Sequence, residues 1–274
     1  MRTAIIGCGY VGKTVAYLWK SKGFDVVVTT TSPERIGELS GVSDKVVVLE
    51  GTEKEKIERA IADREIVLLS VGSKRGANYR ETYLGTAQTV ANVLPRTNVK
   101  QLIYTSSCSI YGQNSGAWIN ETMPPNPTTE NGKVLAIAEQ SLLEAASPQL
   151  KVCILRLGGI YGPGRTVEAI YSRLAGKVMP GTGEEAANWV HLLDIIGAID
   201  WAQAQQLSGI YNVVQDEILT RRELIGEVCD RLNLPPVTWD GNPNAGRGRN
   251  ARLSNQKLKS TGFQFEHPKF WPTP

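Results

Sequence analysis

Short apolar runs alternate with amphipathic stretches through the first half of the chain, and that alternation predicts an architecture. Residues 3–6 are an apolar run, and residues 11–20 behind them place their apolar positions at helical spacing. The pattern then repeats. Residues 25–30 read as a strand, 33–39 as a short helix, 45–49 as a strand and 53–62 as a helix. Residues 66–70 (strand), 79–94 (long helix), 101–105 (strand), about 132–146 (helix) and 152–155 (strand) continue it. Strands that alternate with helices form a parallel sheet covered on both faces. From Gly164 onward the pattern loosens into helices near 167–175, 192–205 and 221–232, separated by short extended pieces and Pro-rich loops. The expectation is an α/β fold: a doubly wound parallel sheet over residues 1–163, with a small C-terminal α/β cap over 164–274, some of whose segments return to the core. In such folds ligands bind at the carboxyl ends of the strands.

The junction of the first strand and first helix reads Gly7-Cys8-Gly9-Tyr10-Val11-Gly12. This is Gly-x-Gly-x-x-Gly in the context a Rossmann dinucleotide site requires. Gly7 permits the tight turn, Gly9 lets the backbone approach a pyrophosphate, and Gly12 lets the helix pack close to the strand. The N–H groups of the helix start then face the phosphates, which makes Tyr10 and Val11 expected neighbours of the cofactor. A plain glycine turn is the bland alternative.

The end of the second strand decides which dinucleotide is expected. NAD-binding folds usually place a carboxylate there for the ribose 2′-hydroxyl. Here the stretch is Thr29-Thr30-Thr31-Ser32, with Arg35 just beyond. A carboxylate would repel a 2′-phosphate, whereas hydroxyls and a guanidinium can hydrogen-bond it. NADP is therefore expected over NAD, with Thr30, Thr31, Ser32 and Arg35 as contacts. Thr31 and Ser32 can equally cap the next helix while Arg35 faces water, and both readings can hold together.

Composition narrows the class further. A chain of 274 residues with a net charge of +3 has no basic excess to suggest nucleic acid, and no helix carries a basic stripe. Four scattered cysteines and two histidines, His191 and His267, indicate neither a metal site nor a disulfide framework. Reduced thiols, the lack of a signal-peptide pattern and the lack of a membrane-length apolar run predict a cytoplasmic protein with no membrane partner.

Three later segments carry a resemblance. Thr105-Ser106-Ser107-Cys108-Ser109-Ile110-Tyr111-Gly112, then Arg156-Leu157-Gly158-Gly159-Ile160-Tyr161-Gly162-Pro163-Gly164, then Trp189-Val190-His191-Leu192-Leu193-Asp194 together resemble extended short-chain dehydrogenases/reductases, the NAD-dependent epimerase/dehydratase family. The closing Arg252-Leu253-Ser254-Asn255-Gln256-Lys257-Leu258 and Gly262-Phe263 fit the same pattern. The resemblance implies catalysis by a Ser, a Tyr and a Lys, the Tyr as acid/base and the Lys tuning it and holding the ribose. Ser107 matches the serine. Aligning the next helix on Glu139-Gln140 puts Asn131 at the Tyr position and Leu135 at the Lys position, and no Tyr-x-x-x-Lys occurs anywhere in the chain. An Asn amide exchanges no proton near neutrality, and Leu135 has no charge with which to tune a neighbour. Lys133, two residues from both, belongs to another helix face and reads as solvated.

Two substrate positions depart from the family as well. Gly159 stands where nucleotide-sugar epimerases have an Asn, and Ala187 where they have an Arg for the diphosphate, which argues against a conventional nucleotide-sugar substrate. By family position Val71, Gly72 and Ser73 run along the cofactor, while Lys74 and Arg75 face water. Tyr111 and Tyr161 carry hydroxyls toward the expected cleft, although a Tyr before a Gly after a parallel strand ordinarily packs with one satisfied hydrogen bond. Cys108 reads as a small buried residue, and His191 as structural. Arg247, Arg249 and Arg252 either reach a substrate anion or are solvated, and Trp118, Trp189 and Trp239 either wall a pocket or pack in the core. The expected function is an atypical NAD(P)-dependent oxidoreductase or epimerase-like enzyme acting on a small carbonyl or hydroxyl compound. The alternative is a non-catalytic NADP(H)-binding sensor or assembly partner. A homodimer is what the family implies.

Overall fold

The computed structural model describes residues 1–73, 76–242, 245 and 250–271. Its centre is one seven-stranded sheet. Along the chain its strands are β1 (Arg2–Ile6), β2 (Asp25–Thr30), β3 (Lys45–Val48), β4 (Ile66–Leu69), β5 (Gln101–Ser107), β6 (Lys151–Leu157) and β7 (Gly209–Val213). They lie in the order β7-β6-β5-β4-β1-β2-β3. β1 pairs in parallel with both β2 and β4, and β2–β3 and β4–β5 are parallel too. The doubly wound fold is therefore as the alternation predicts.

The strands form because Val, Ile and Leu fill both faces. All four residues of β4 are buried, as are four of the five in β1. Each such side chain withdrawn from water stabilises by roughly 1.5–3 kcal/mol. The helices between them are α1 (Tyr10–Ser21), α2 (Ile36–Ser40), α3 (Lys54–Ile61), α4 (Thr86–Val93) and α5 (Glu130–Leu143). α1 turns Val11, Val15, Ala16 and Trp19 inward. Further along come α6 (Val167–Tyr171), α7 (Leu192–Ala204), α8 (Arg221–Arg231) and α9 (Gln256–Lys259).

The long helix expected over 79–94 is not uniform. Glu81–Gly85 is a turn of π-helix, α4 follows, and Leu94–Arg96 tightens to a 3-10 turn at Pro95, which has no N–H to continue the ladder. Periodicity also misses β7. Its sequence GIYNV is short and places a polar Asn212 at a fully buried position, so it shows no strand period.

By compactness the chain divides into two units. The first comprises Met1–Ser107, Glu130–Arg156 and Ile196–Tyr211; the second comprises Cys108–Thr129, Leu157–Ile195 and Asn212–Pro274. The first unit's core runs from Ala4 and Ile6 through Leu69, Val90 and Tyr104 to Ala138 and Ile154. The second has its own, built on Tyr161, Val167, Ala187, Leu224, Val228 and Phe270. Among its described residues are three small parallel pairs: Gly159–Tyr161 with Trp189–His191, Val178–Met179 with Thr238–Trp239, and Gln113–Ile119 with Asn250–Leu253. The last is hidden in the sequence because Ser115 and Gly116 take positive φ inside a polar segment.

Candidate functional site

The carboxyl ends of β1, β2 and β4 bound a groove of about 650 Å³ in the first unit. Its walls include Gly7, Gly9, Thr30, Thr31, Arg35, Val71 and Gly72. The turn is fixed by β2: Gly7 N donates to Thr29 Oγ1 at 3.1 Å and Cys8 N to Thr29 O at 3.0 Å. Gly7 has φ +88°, and a Cβ there would lie 2.7 Å from Ser70 O. A Cβ on Gly12 would lie 2.5 Å from Gly7 O, so only glycine lets α1 approach this closely. At Gly9 and Gly72, by contrast, a Cβ would meet nothing within 4 Å. These two glycines leave groove space that a ligand's phosphates can enter, which is the fit a dinucleotide requires.

The start of α1 suits an anion. No side chain caps it at Gly9, and no acidic residue stands in its first turn. α8 is the opposite, closed by a capping box between Thr220 and Glu223. Val11 and Gly12 are buried in α1, and Tyr10 is exposed. Burial pushes the Cys8 thiol up to about 12, which makes it an inert spacer rather than a nucleophile.

At the far end of β2, Arg35 bridges two elements. Its Nη1 donates to Cys8 O at 2.7 Å and its Nε to Glu38 Oε2 at 3.0 Å. Lys13 of α1 reaches the other oxygen of Glu38 at 2.6 Å. The hydrogen bonds from Arg35 and then from Lys13 hold the Glu38 carboxyl down at about 2, so it is charged at any working pH. Ser32 is buried and stands before the 3-10 turn Pro33–Arg35 without a side-chain capping bond; its N–H bonds Thr30 Oγ1 at 3.2 Å. Ser73 N donates to Tyr83 OH at 3.3 Å.

Sequence reasoning missed Lys13 and Glu38, and also Glu50, Thr52, Asn78, Thr82 and Thr86 on the groove wall. The signal for Glu50 was there, since it follows the end of β3, where ligands gather. Lys74, Arg75, Arg247 and Arg249 lie outside the described residues.

The resemblance set Ser107, Asn131 and Leu135 at the family's proton-transfer positions. Ser107 ends β5 and is partly exposed. Asn131 is exposed in the first turn of α5, while Leu135 is only 2% exposed. Lys133 is exposed and pairs with Glu130 at 2.7 Å. One turn beyond Leu135, Glu139 is buried and forms a two-pronged pair with Arg156, with Nη2 to Oε2 at 2.7 Å and Nε to Oε2 at 3.1 Å. Ser106 Oγ donates to Glu139 Oε1 at 2.5 Å. Ser106, Glu139 and Arg156 thus form one buried, hydrogen-bonded cluster beneath α5.

Other candidates are placed in packing. Tyr111 is 1% exposed and donates to Asn212 Oδ1 at 2.8 Å. Tyr161 donates to Gln215 Oε1 at 3.0 Å, and burial raises its phenol well above the usual range. Trp189 packs on Tyr161, Tyr171 and Phe270. A Cβ on Gly159 would lie 2.8 Å from the Trp189 ring, and Ala187 is 9% exposed in the same apolar cluster. Trp239 lies under Arg221 and Arg222 at 5.2 and 5.5 Å, whereas Trp118 is 63% exposed. Arg252 Nη1 donates to Gly116 O at 2.7 Å. His191 stacks on His267 at 3.7 Å, and burial followed by His267 lowers its imidazole to about 4.

The sheet order, glycine turn and groove define a doubly wound α/β protein of the Rossmann type. The family follows from comparison with known proteins: the model of the NAD dependent epimerase/dehydratase family matches residues 4–213, and the chain belongs to that family. Protein YeeZ of Escherichia coli is 29% identical over 276 residues, covering 97% of this chain and 96% of its own length. Among solved structures, a UDP-glucose 4-epimerase of Thermus thermophilus in complex with NAD superposes with a TM-score of 0.79 at 24% identity, over 97% of this chain and 94% of that one. DesIV, a dTDP-glucose 4,6-dehydratase of Streptomyces venezuelae with NAD bound, gives 0.81 at 19% identity, over 97% and 92%. At these identities the structural likeness concerns the fold. No helix among the described residues is long and apolar enough to cross a membrane.

Proposed function

We propose that this chain binds NADP in preference to NAD and is an atypical member of its family, acting on a small carbonyl or hydroxyl compound rather than a nucleotide sugar. The observation that carries the reading is the groove beside the glycine turn, where Arg35 and the Thr30–Thr31 hydroxyls form the wall past β2. When bound, the cofactor would supply hydride transfer. The chain's own residues would hold it: Gly7 and Gly9 by backbone approach, Arg35 at the 2′-phosphate, Val71 and Gly72 along the ribose. Ser107 would orient the reacting oxygen, and a bound water or the substrate would supply the proton, because Asn131 cannot.

Gly159 and Ala187 support the departure from nucleotide sugars. The first position is closed to any side chain by the Trp189 ring, and the second sits in an apolar cluster. Leu135, buried where the family's Lys would stand, favours the second reading, a non-catalytic NADP(H) sensor.

Two measurements test the proposal. In thermal shift, a ligand at about 100 times its dissociation constant stabilises by about 2.7 kcal/mol, which raises the melting point by several degrees. NADPH is expected to do so at much lower concentration than NADH, and equal shifts overturn the NADP reading. NADPH oxidation is then followed with a panel of small aldehydes and ketones. Turnover that vanishes in Ser107→Ala supports the enzyme, and tight binding without turnover on any compound supports the sensor.

A further inference from the structure

The Arg35 guanidinium on the groove wall is not a lone cation. Each oxygen of Glu38 holds one positive side chain, Arg35 Nε at 3.0 Å and Lys13 Nζ at 2.6 Å, so one carboxylate stands between two cations. Arg35 reaches the groove, whereas neither Glu38 nor Lys13 is among the residues of its wall. All three remain partly exposed, at 29% for Arg35, 41% for Glu38 and 42% for Lys13. The cluster joins three stretches of chain: α1, the 3-10 turn after β2, and α2.

We propose that Glu38 is a specificity-determining residue that restrains the preference for a 2′-phosphorylated dinucleotide, by offsetting the charge of Arg35 and Lys13 without touching the ligand. The inference rests on the NADP reading above. A 2′-phosphate carries up to two negative charges near neutral pH and seeks the N–H donors that the Glu38 carboxylate already engages. The anion therefore meets one net positive charge instead of two, together with a competing acceptor. The neutral 2′-hydroxyl of NAD is indifferent to both. Glu38 thus acts on the difference between the two cofactors and hardly on the affinity they share.

The substitution Glu38→Gln keeps the side chain's size and an acceptor oxygen while removing the charge. Dissociation constants for NADPH and NADH are measured by calorimetry at low and moderate salt on the full chain, for the parent, Glu38→Gln, Lys13→Gln and Arg35→Ala. Glu38→Gln is expected to tighten NADPH about three- to tenfold and to leave NADH within about twofold, the size of a single charge acting through partly solvated surroundings. The gain shrinks as salt rises. Lys13→Gln is expected to move the NADPH constant the opposite way. An unchanged or weaker NADPH affinity in Glu38→Gln, an equal change for both nucleotides, or loss of both overturns the assignment. The reading beneath it fails separately: if Arg35→Ala leaves the NADPH-to-NADH ratio unmoved, no 2′-phosphate is recognised at Arg35. A ratio that responds to Arg35→Ala but not to Glu38→Gln removes Glu38 alone.

Discussion

The glycine turn and the start of α5 belong to the same compact unit, yet the first is shaped by main-chain contacts and the second by side chains that face either solvent or core. At the turn, main-chain atoms fix the identity of two of the three glycines, Gly7 and Gly12. A methyl group on Gly7 would meet Ser70 O at 2.7 Å, and one on Gly12 would meet Gly7 O at 2.5 Å. On α5, Asn131 is exposed and Leu135 buried, and the helix runs without a break to Leu143. A phosphate held by backbone depends on the path of the chain, so the sequence there cannot drift. Chemistry carried by side chains on a helix is not tied to the path of the chain in this way, because the helix forms with either a polar or an apolar residue at such a position. In the second unit packing sets the residue again, with the Trp189 ring against Gly159 and an apolar cluster around Ala187.

The greatest loss is expected beneath α5, at the buried Glu139–Arg156 pair. Arg156→Met strands Glu139 as an unpaired charge among buried groups, a loss of about 3–5 kcal/mol. At about 2–4 °C per kcal/mol for a chain of this size, the melting point falls on the order of 10 °C. The double variant Arg156→Met with Glu139→Leu recovers most of it. A single variant that melts with the parent would show that the pair is idle.

Leu135→Ala comes next, at about 2–5 kcal/mol, because it opens a cavity in the core. Asn131→Ala is expected to change stability by no more than about 0.5 kcal/mol. Chemical denaturation of both variants measures how fully one position has joined the core and the other the surface. Comparable losses would erase the contrast.

Gly7→Ala follows, costing about 1–3 kcal/mol for a side chain forced to positive φ against a carbonyl oxygen. It is also expected to abolish the thermal shift given by NADPH, and a retained shift would mean that the turn does not hold the nucleotide.

The mildest change lies in the second unit. His191 is held at about 4 against an ordinary 6.5, so the unfolded chain takes up a proton that the folded chain refuses. Its contribution is full above about pH 6.5 and is lost as the pH falls toward 4. Burial holds the Asp194 carboxyl above its usual range, which works in the opposite sense at the acid end and offsets part of the loss. Melting curves from neutral pH down to 4.5 should fall less steeply for His191→Phe than for the parent. Parallel curves would show that His191 does not titrate with folding.

Local pattern was enough to specify the doubly wound fold, the glycine turn and the family. A run of Val, Ile and Leu must be buried on two faces, and Gly-x-Gly-x-x-Gly between a strand and a helix has one backbone solution. That no Tyr-x-x-x-Lys exists needed only reading. What surrounds these features came from contacts between distant segments. Glu38 lies 25 residues from Lys13, and Glu139 lies 17 from Arg156, separations at which sequence spacing says nothing about contact. β7 and the strand Gln113–Ile119 were illegible for a related reason: both carry polar residues or positive-φ turns and gain their strand pairing from far along the chain. Gly159 reads in sequence as the loss of a polar group, and only the Trp189 ring standing where its Cβ would go shows that the space was given to packing.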